Sequence, residues 1–121
     1  MQANELSYLP GYYVCECGES YLSDFPFTEV HCPCGRDLER IDITEDELNG
    51  ILYNMDIFER CDNAEGYTWG QAGEFLHYID HNRLRMLIEF LQKNNYLSCK
   101  ITTKRITGIS VNEKEVRVRK E

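Results

Sequence analysis

Two short cysteine motifs are the residues of this chain with the clearest chemistry. Each has the form C-x-C-G: one spans residues 15–18 and the other residues 32–35. Thiolates that arrive as two tight pairs suit a tetrahedral metal ion, above all zinc, and four thiolates leave no open position for catalysis. The sequence therefore predicts one structural Zn²⁺ ion. Its predicted ligands are Cys15, Cys17, Cys32 and Cys34.

The segment around these motifs contains few apolar side chains, so we expect it to need a bound metal ion for stability. Short folded units bury little apolar surface, and the free energy of metal binding becomes free energy of folding. Gly18 and Gly35 each follow the second cysteine of a motif directly. A glycine there permits a left-handed backbone, which turns N–H groups toward the sulfur atoms.

Residues 12–40 resemble a zinc ribbon. The knuckles of that family usually read C-x-x-C-G, and both motifs here are one residue shorter. The resemblance implies a zinc-ribbon-like unit, expected over residues 1–42. It is specific for a metal ion and does not by itself specify a function.

Other cysteine chemistries remain open at this point. The chain has six cysteines, an even number that also permits disulfides, although structural disulfides are rare in reducing compartments. Free thiols and an iron–sulfur cluster are further alternatives. His31 adjoins Cys32 and could replace one ligand. Cys61 and Cys99 stand alone and are predicted to be small buried hydrophobes.

Length and hydropathy predict a soluble protein. A chain of 121 residues suits one domain, or a small unit followed by a second compact one. No apolar run approaches the length of a membrane span, and residues 1–5 lack the basic start of a signal sequence. We therefore expect a cytoplasmic location (the host cytoplasm if the protein is viral) and no membrane partner.

Three helices are predicted from capping signals and apolar periodicity. Capping boxes open the first two helices, and apolar residues recur at helical spacing in all three. The predicted helices are residues 45–58, a shorter segment after Thr68, and a third from Asp80 or Asn82 to about residues 94–95. A loop over residues 59–67 is expected between the first two.

Strands are predicted after the third helix. Residues 96–103 have strand character, and residues 106–111 and 115–119 are predicted to pair as a hairpin across residues 112–114. Gly108 is expected to mark a β-bulge.

Three helices followed by a β-hairpin is the order of a winged helix-turn-helix domain. Residues 83–97 look like the third helix of that family running into its wing, and the resemblance covers residues 44–120. The expected fold class is α+β: a small zinc ribbon, then a winged-helix-like unit of three helices and a β-hairpin over residues 43–121.

Charge divides the chain into two parts. Residues 81–121 hold ten Lys or Arg against four Asp or Glu, and the first 80 residues hold three against seventeen. The net charges of +6 and −14 give the chain its total of −8. In a winged helix, a basic third helix and wing meet phosphates. The candidate residues for binding nucleic acid or a partner are Arg83, Arg85, Lys93, Lys104, Arg105, Arg117 and Arg119.

These observations favour a non-enzymatic regulator of nucleic-acid machinery, in transcription or a related process. It would act through a protein partner (a polymerase, nuclease or regulator) and a basic C-terminal face, which could also meet nucleic acid. One alternative is a small acidic inhibitor of the viral type, which imitates nucleic acid in a host polymerase or defence nuclease. Another is a structural or assembly subunit whose opposed charges join copies. The charged parts could also simply face one another.

An enzyme is not expected. Glu74, His77 and His81 recur at helical spacing, but the chain has neither H-E-x-x-H nor the additional carboxylates of a di-iron site. No phosphate-binding glycine loop is present either.

Overall fold

The computed structural model is a mixed α+β structure, as predicted, with three helices and two small antiparallel sheets in the part of the chain that it describes. The described residues are Leu6, 8–23, 31–61, 65–77, 80–113 and 115–118. None of the helices within these ranges is long and apolar enough to cross a bilayer.

The first sheet contains the two cysteine motifs at one end. It consists of β1 (Gly11–Val14), β2 (Ser20–Ser23) and β3 (Glu39–Asp42), in the order β2-β1-β3. The central strand β1 pairs antiparallel with both neighbours, so that Val14 lies opposite both Ser20 and Glu39. Tyr12 of β1 is only 1% exposed. The sheet therefore packs against the rest of the molecule through its middle strand.

The helices are α1 (Glu45–Cys61), α2 (Trp69–Leu76) and α3 (His81–Lys93). The capping box at Thr68 is confirmed, because the Thr68 side chain accepts from the Gln71 N–H and the Gln71 side chain accepts from the Thr68 N–H. At Thr44 the side chain accepts from the Glu47 N–H, as predicted, and the return bond from the Glu47 side chain stays a prediction. Asp80, rather than Asn82, is the N-cap of α3. The loop predicted over residues 59–67 is wrong at both ends, where α1 continues to Cys61 and a short strand begins at Tyr67.

The second sheet differs from the predicted hairpin. It consists of β4 (Tyr67–Thr68), β5 (Leu97–Ile101) and β6 (Arg105–Val111), in the order β4-β6-β5. The predicted pairing of residues 106–111 with 115–119 is wrong, since β6 pairs with β5 across residues 102–104. Leu97 lies opposite Val111 in this register, and both pack with the core. The pairing thus gives the two strands a common apolar face.

Residues 115–118 lie along α1 instead of forming a strand with β6. The Asn49 side chain brackets Val116: its amide oxygen accepts from the Val116 N–H at 2.5 Å, and its amide nitrogen donates to the Val116 carbonyl at 3.4 Å. Val116 is 1% exposed, and Val118 forms a parallel bridge with Leu6. A helix side chain therefore supplies the hydrogen bonds that a neighbouring strand was predicted to supply.

The predicted bulge at Gly108 is confirmed. The register of β5 and β6 shifts there, so that Gly108 and Ile109 together face Cys99 alone. Gly108 has φ of +60°, a conformation that costs glycine little and strains residues with a Cβ atom. The bulge lets both strands keep their apolar residues inward on either side of it.

One hydrophobic core includes residues from both predicted units. Leu6 and Tyr12 belong to it together with side chains from all three helices. Trp69 is buried in it, and its indole N–H donates to the Thr102 carbonyl at 2.8 Å. The apolar spacing of α2 predicts that Phe75 faces inward, and this is wrong, since Phe75 is 47% exposed. The domain boundary after residue 42 stays a prediction.

Replacing Asn49 by alanine is expected to lower the free energy of unfolding by about 1–3 kcal/mol, because the buried backbone groups of Val116 lose their partner. Urea unfolding followed by circular dichroism measures this change. Asn54→Ala is the matched control on the same helix, since Asn54 donates only to the exposed Gly50 carbonyl. Equal losses in the two variants would contradict the role given to Asn49.

Candidate metal centre

The first cysteine motif forms the connection between β1 and β2. The Cys15 N–H donates to the Glu19 carbonyl at 2.9 Å, and the Gly18 N–H donates to the Cys15 carbonyl at 3.0 Å. Gly18 has φ of +100°, so the expected left-handed glycine is confirmed at this position. The loop is therefore a tight turn that points Cys15 and Cys17 to one end of the sheet.

The second motif repeats the same turn ahead of β3. The Gly35 N–H donates to the Cys32 carbonyl at 3.0 Å, and Gly35 has φ of +83°. Because β3 runs antiparallel to β1, with Glu39 opposite Val14, the start of β3 lies beside the end of β1. The sheet pairing thus brings the two cysteine turns together.

The four sulfur atoms form a compact cluster. All lie within 4.8 Å of one another, with Cys15 Sγ 3.4 Å from Cys34 Sγ and Cys17 Sγ 3.5 Å from Cys32 Sγ. These distances exceed the roughly 2.05 Å of a disulfide, and all four cysteines are free. Tetrahedral zinc with Zn–S bonds of about 2.3 Å requires sulfur atoms about 3.8 Å apart. The cluster therefore fits a tetrahedral metal ion, as the motif spacing predicts.

Backbone N–H groups point at the sulfur atoms, as expected from the glycine positions. The Cys34 N–H bonds to the Cys32 sulfur, the Arg36 N–H to the Cys34 sulfur, and the Glu19 N–H to the Cys17 sulfur. The Tyr21 hydroxyl donates to the Cys32 sulfur at 3.7 Å. Donors around a metal site stabilise the thiolate form and fix its orientation.

The hydrogen bonds divide the thiols by acidity. The pKa of Cys32 is lowered to about 6, chiefly by the Cys34 backbone N–H. The pKa of Cys34 is raised to about 12, because hydrogen bonds with Cys32 and Cys15 outweigh the N–H of Arg36. The hydrogen bond to Cys32 also raises the pKa of Tyr21 to about 12. A metal ion that binds all four sulfurs must therefore displace protons, so its binding weakens as the pH falls.

His31 and the two remaining cysteines lie outside this cluster. His31 is exposed and is not among the residues whose ligand atoms converge. Cys61 is exposed at the end of α1, so the prediction that it is buried is wrong, and Cys99 on β5 is partly buried. Its sulfur donates to the Gln92 side chain at 3.1 Å, and burial raises the pKa of the Cys99 thiol to about 11. Among the described residues, the cluster that could hold a metal ion therefore consists of four cysteines.

Arg83, predicted as a binding residue, makes contacts within the chain. Its guanidinium bonds to Glu47 of α1 at 2.8 Å and lies over the ring of Tyr12, 5.3 Å from the centroid. The Tyr12 hydroxyl in turn donates to Asp80 at 2.9 Å. These side chains join the first sheet, α1 and the start of α3, and Asn82 adds a bond to Ser20 of β2 at 2.8 Å.

The remaining predicted basic residues lie at several places on the surface. Arg85 and Thr103 line one cleft of about 200 Å³ between α3 and the β5–β6 turn, where Lys104 and Arg105 are exposed. Lys93 lines a separate cleft of about 360 Å³ between α3 and β2. Arg117 is exposed and pairs with Glu115 at 3.5 Å, and Arg119 lies outside the described residues. The fold therefore brings Arg85 to the hairpin turn and leaves Lys93 at the other end of α3.

Sequence reasoning missed the polar groups that surround the sulfur atoms. Tyr21 contributes a hydroxyl, while Glu19 and Arg36 contribute backbone N–H groups. Both N–H donors lie two residues after the second cysteine of a motif, directly after its glycine. Their positions can therefore be predicted from the motif. The role of Tyr21 depends on the β1–β2 pairing, which no local pattern specifies.

No family model, curated protein or solved structure matches this chain.

Cys32→Ser is expected to abolish stoichiometric metal binding, because the site loses a buried ligand that accepts hydrogen bonds from the Cys34 N–H and the Tyr21 hydroxyl. Elemental analysis of the purified protein measures the metal content. Cys61→Ser is the matched control, since Cys61 lies outside the cluster and the variant should keep its metal. Equal metal content in both variants would contradict the four-cysteine site.

Arg83→Gln is expected to destabilise the protein by about 1–3 kcal/mol, because the half-buried Glu47 carboxylate loses its ion pair. Arg85→Gln is the matched control two residues along α3. The Arg85 side chain is 40% exposed, and its ion pair with Glu89 is long, at 3.9 Å, so it contributes little to stability. Thermal or urea unfolding compares the two. An unchanged free energy of unfolding in Arg83→Gln would show that this contact does not hold the sheet on the helices.

Proposed function

We propose that this protein is a non-enzymatic, zinc-binding regulator of nucleic-acid machinery. The observation that carries the proposal is the four-cysteine cluster, whose sulfur atoms lie within 4.8 Å of one another. Four thiolates complete the coordination of Zn²⁺, so the ion has a structural role and keeps the two turns together. It is the one cluster of potential metal ligands among the described residues, and Glu74, His77 and His81 do not form another.

The order of elements supports a winged-helix-like interpretation of residues 43–121. Three helices precede the β5–β6 hairpin, and residues 102–104 would form the tip of the wing. Free thiols at a zinc site persist in a reducing compartment, which supports a cytoplasmic location, in the host cell if the protein is viral.

The hairpin supports contact with phosphate groups. Residues 97–111 contain Lys100, Lys104 and Arg105 and no acidic residue, in a chain whose net charge is −8. All three basic side chains are exposed, and Arg85 lines the adjoining cleft. Basic side chains on such a surface bind a nucleic-acid backbone without reading its sequence.

The first sheet is fixed on the start of α3, as a surface for protein docking requires. Tyr12, Arg83 and Asn82 tie the first sheet to this end of the helix. The basic contact surface of the proposal therefore centres on the hairpin and the adjoining Arg85, while Lys93 and Arg117 lie at other places on the surface. The acidic first part of the chain would meet a basic partner protein, such as a polymerase, nuclease or regulator.

Elemental analysis should give about one zinc per chain, because one four-thiolate site binds one ion. Another metal at the same stoichiometry would contradict zinc and leave the ligand set intact.

The double variant Lys104→Ala/Arg105→Ala is expected to weaken nucleic-acid binding about equally for all sequences, because it removes phosphate contacts. Fluorescence anisotropy with labelled single-stranded and duplex oligonucleotides measures this loss. The logarithm of wild-type affinity should fall by about 0.9 per logarithmic unit of salt for each duplex phosphate contacted, and by about 0.7 for single strands.

Arg60→Ala is the matched control, since Arg60 is an exposed arginine of α1 that pairs with Asp56. It should leave the affinity unchanged. Absence of binding at low salt would reject nucleic-acid contact and favour the acidic inhibitor.

A specific feature favours that second candidate. The first turn of α1 carries three consecutive acids, Glu45, Asp46 and Glu47, and Glu39 and Asp42 of the neighbouring strand β3 are exposed. A row of carboxylates can imitate a phosphate backbone in a basic channel. Affinity capture with wild-type protein and with an Asp46→Asn/Asp42→Asn variant tests this, because a mimic should lose its partner in the variant.

A third proposal is an assembly subunit. It requires that the protein self-associates, which light scattering measures.

A further inference from the structure

Exposure divides the four sulfur ligands into two matched pairs. Cys15 and Cys32 are buried, at 8% and 6% exposure, while Cys17 and Cys34 are exposed. Each of the two short sulfur–sulfur distances joins one exposed and one buried cysteine: Cys34 with Cys15, and Cys17 with Cys32. Both pairs also connect the first turn to the second. An oxidant from solvent thus meets one sulfur of each pair, and the second sulfur lies directly behind it.

We propose that the cluster is an oxidation site, at which a peroxide converts the metal-bound thiolates into two disulfides, Cys15–Cys34 and Cys17–Cys32. The metal ion leaves because disulfide sulfur is a poor ligand for it. The proposal rests on the metal centre of the proposed function and is independent of any nucleic-acid contact.

The chemistry proceeds by the same two steps in each pair. First, the exposed thiolate attacks a peroxide oxygen: an S–O bond forms, the O–O bond breaks, and hydroxide leaves. Second, the buried thiolate attacks the resulting sulfenic acid: an S–S bond forms, the S–O bond breaks, and a second hydroxide leaves. Two protons from solvent convert both hydroxides to water. Each pair loses two electrons to one hydrogen peroxide molecule, so the cluster consumes two peroxides and releases one Zn²⁺.

The geometry favours disulfides between turns over disulfides within a turn. One residue separates the cysteines of each motif, and the hydrogen bonds of Gly18 and Gly35 hold both turns closed. A disulfide across a single residue would distort the turn, and distortion makes such a bond more easily reduced. A bond between turns joins the same two segments that the metal joins. The end of the sheet therefore stays closed after the metal leaves, and the change is reversible by thiol reductant and zinc.

The test uses the full zinc-loaded chain treated with hydrogen peroxide. A chromogenic chelator measures the released zinc, and alkylation followed by non-reducing peptide mapping locates the disulfides. We expect one zinc released per two peroxides consumed, with Cys15–Cys34 and Cys17–Cys32 as the main links. Disulfides within the motifs, sulfinic acids without disulfides, or zinc that stays bound would each overturn the proposal. Cys61→Ser is the control, and its zinc release should be unchanged because Cys61 lies outside the cluster.

Dimedone trapping tests the order of steps in the zinc-loaded wild-type chain. A short treatment with substoichiometric peroxide in the presence of dimedone should place the adduct on Cys17 and Cys34, the exposed member of each pair. Adducts mainly on Cys15 and Cys32 would refute the assigned order, while the disulfide map decides the pairing. A wild-type chain purified without metal would remove the metal centre and this inference together, whereas zinc binding without disulfide formation would remove the inference alone.

Discussion

The rest of the structure depends on the position of β1, a strand of only four residues. Its Tyr12 is buried against α3, donates to Asp80 and supports the guanidinium of Arg83. The strand ends at Val14, and Cys15 of the sulfur cluster follows directly. Short strands have little stability of their own. β1 is therefore held at its middle by the helices and at its end by the cysteine turns, so that the cysteine cluster and the helical part stabilise each other.

Local signals predicted the helices well, because the information lies within a few residues. Thr44 and Thr68 cap α1 and α2 as their spacing indicates. The strand pairing was mispredicted for a complementary reason: the alternation in residues 115–119 shows that one face is apolar and does not identify the neighbour. Asn49 provides that neighbour from a helix, and no period-two pattern contains this information. The helices and the regions of β5 and β6 were thus predictable, whereas the short strands β1 to β4 and the partners of the strands were not.

The candidate site shows the same contrast between local signals and tertiary contacts. The four cysteines were identified from sequence, because ligands that form one site come as two motifs of fixed spacing. Arg83 was predicted as a surface cation from its place in a basic region, yet Glu47 and Tyr12 surround it. Those partners come from a different helix and from the first sheet, so only tertiary structure reveals that this cation pairs within the chain. The charge totals of the two parts therefore overstate how much charge is available to a partner.

The parallel bridge between Leu6 and Val118 has a consequence for the order of events during synthesis. The Leu6 N–H donates to the Arg117 carbonyl at 2.8 Å, and both Leu6 and Val116 are buried. Residue 6 leaves the ribosome long before residues 116–118 exist, since chains grow at about 5–20 residues per second. The Leu6 N–H therefore lacks its Arg117 partner until nearly all of the described chain has been made. Co-translational folding of this chain is thus expected to finish with a closing step that joins its earliest and latest described segments.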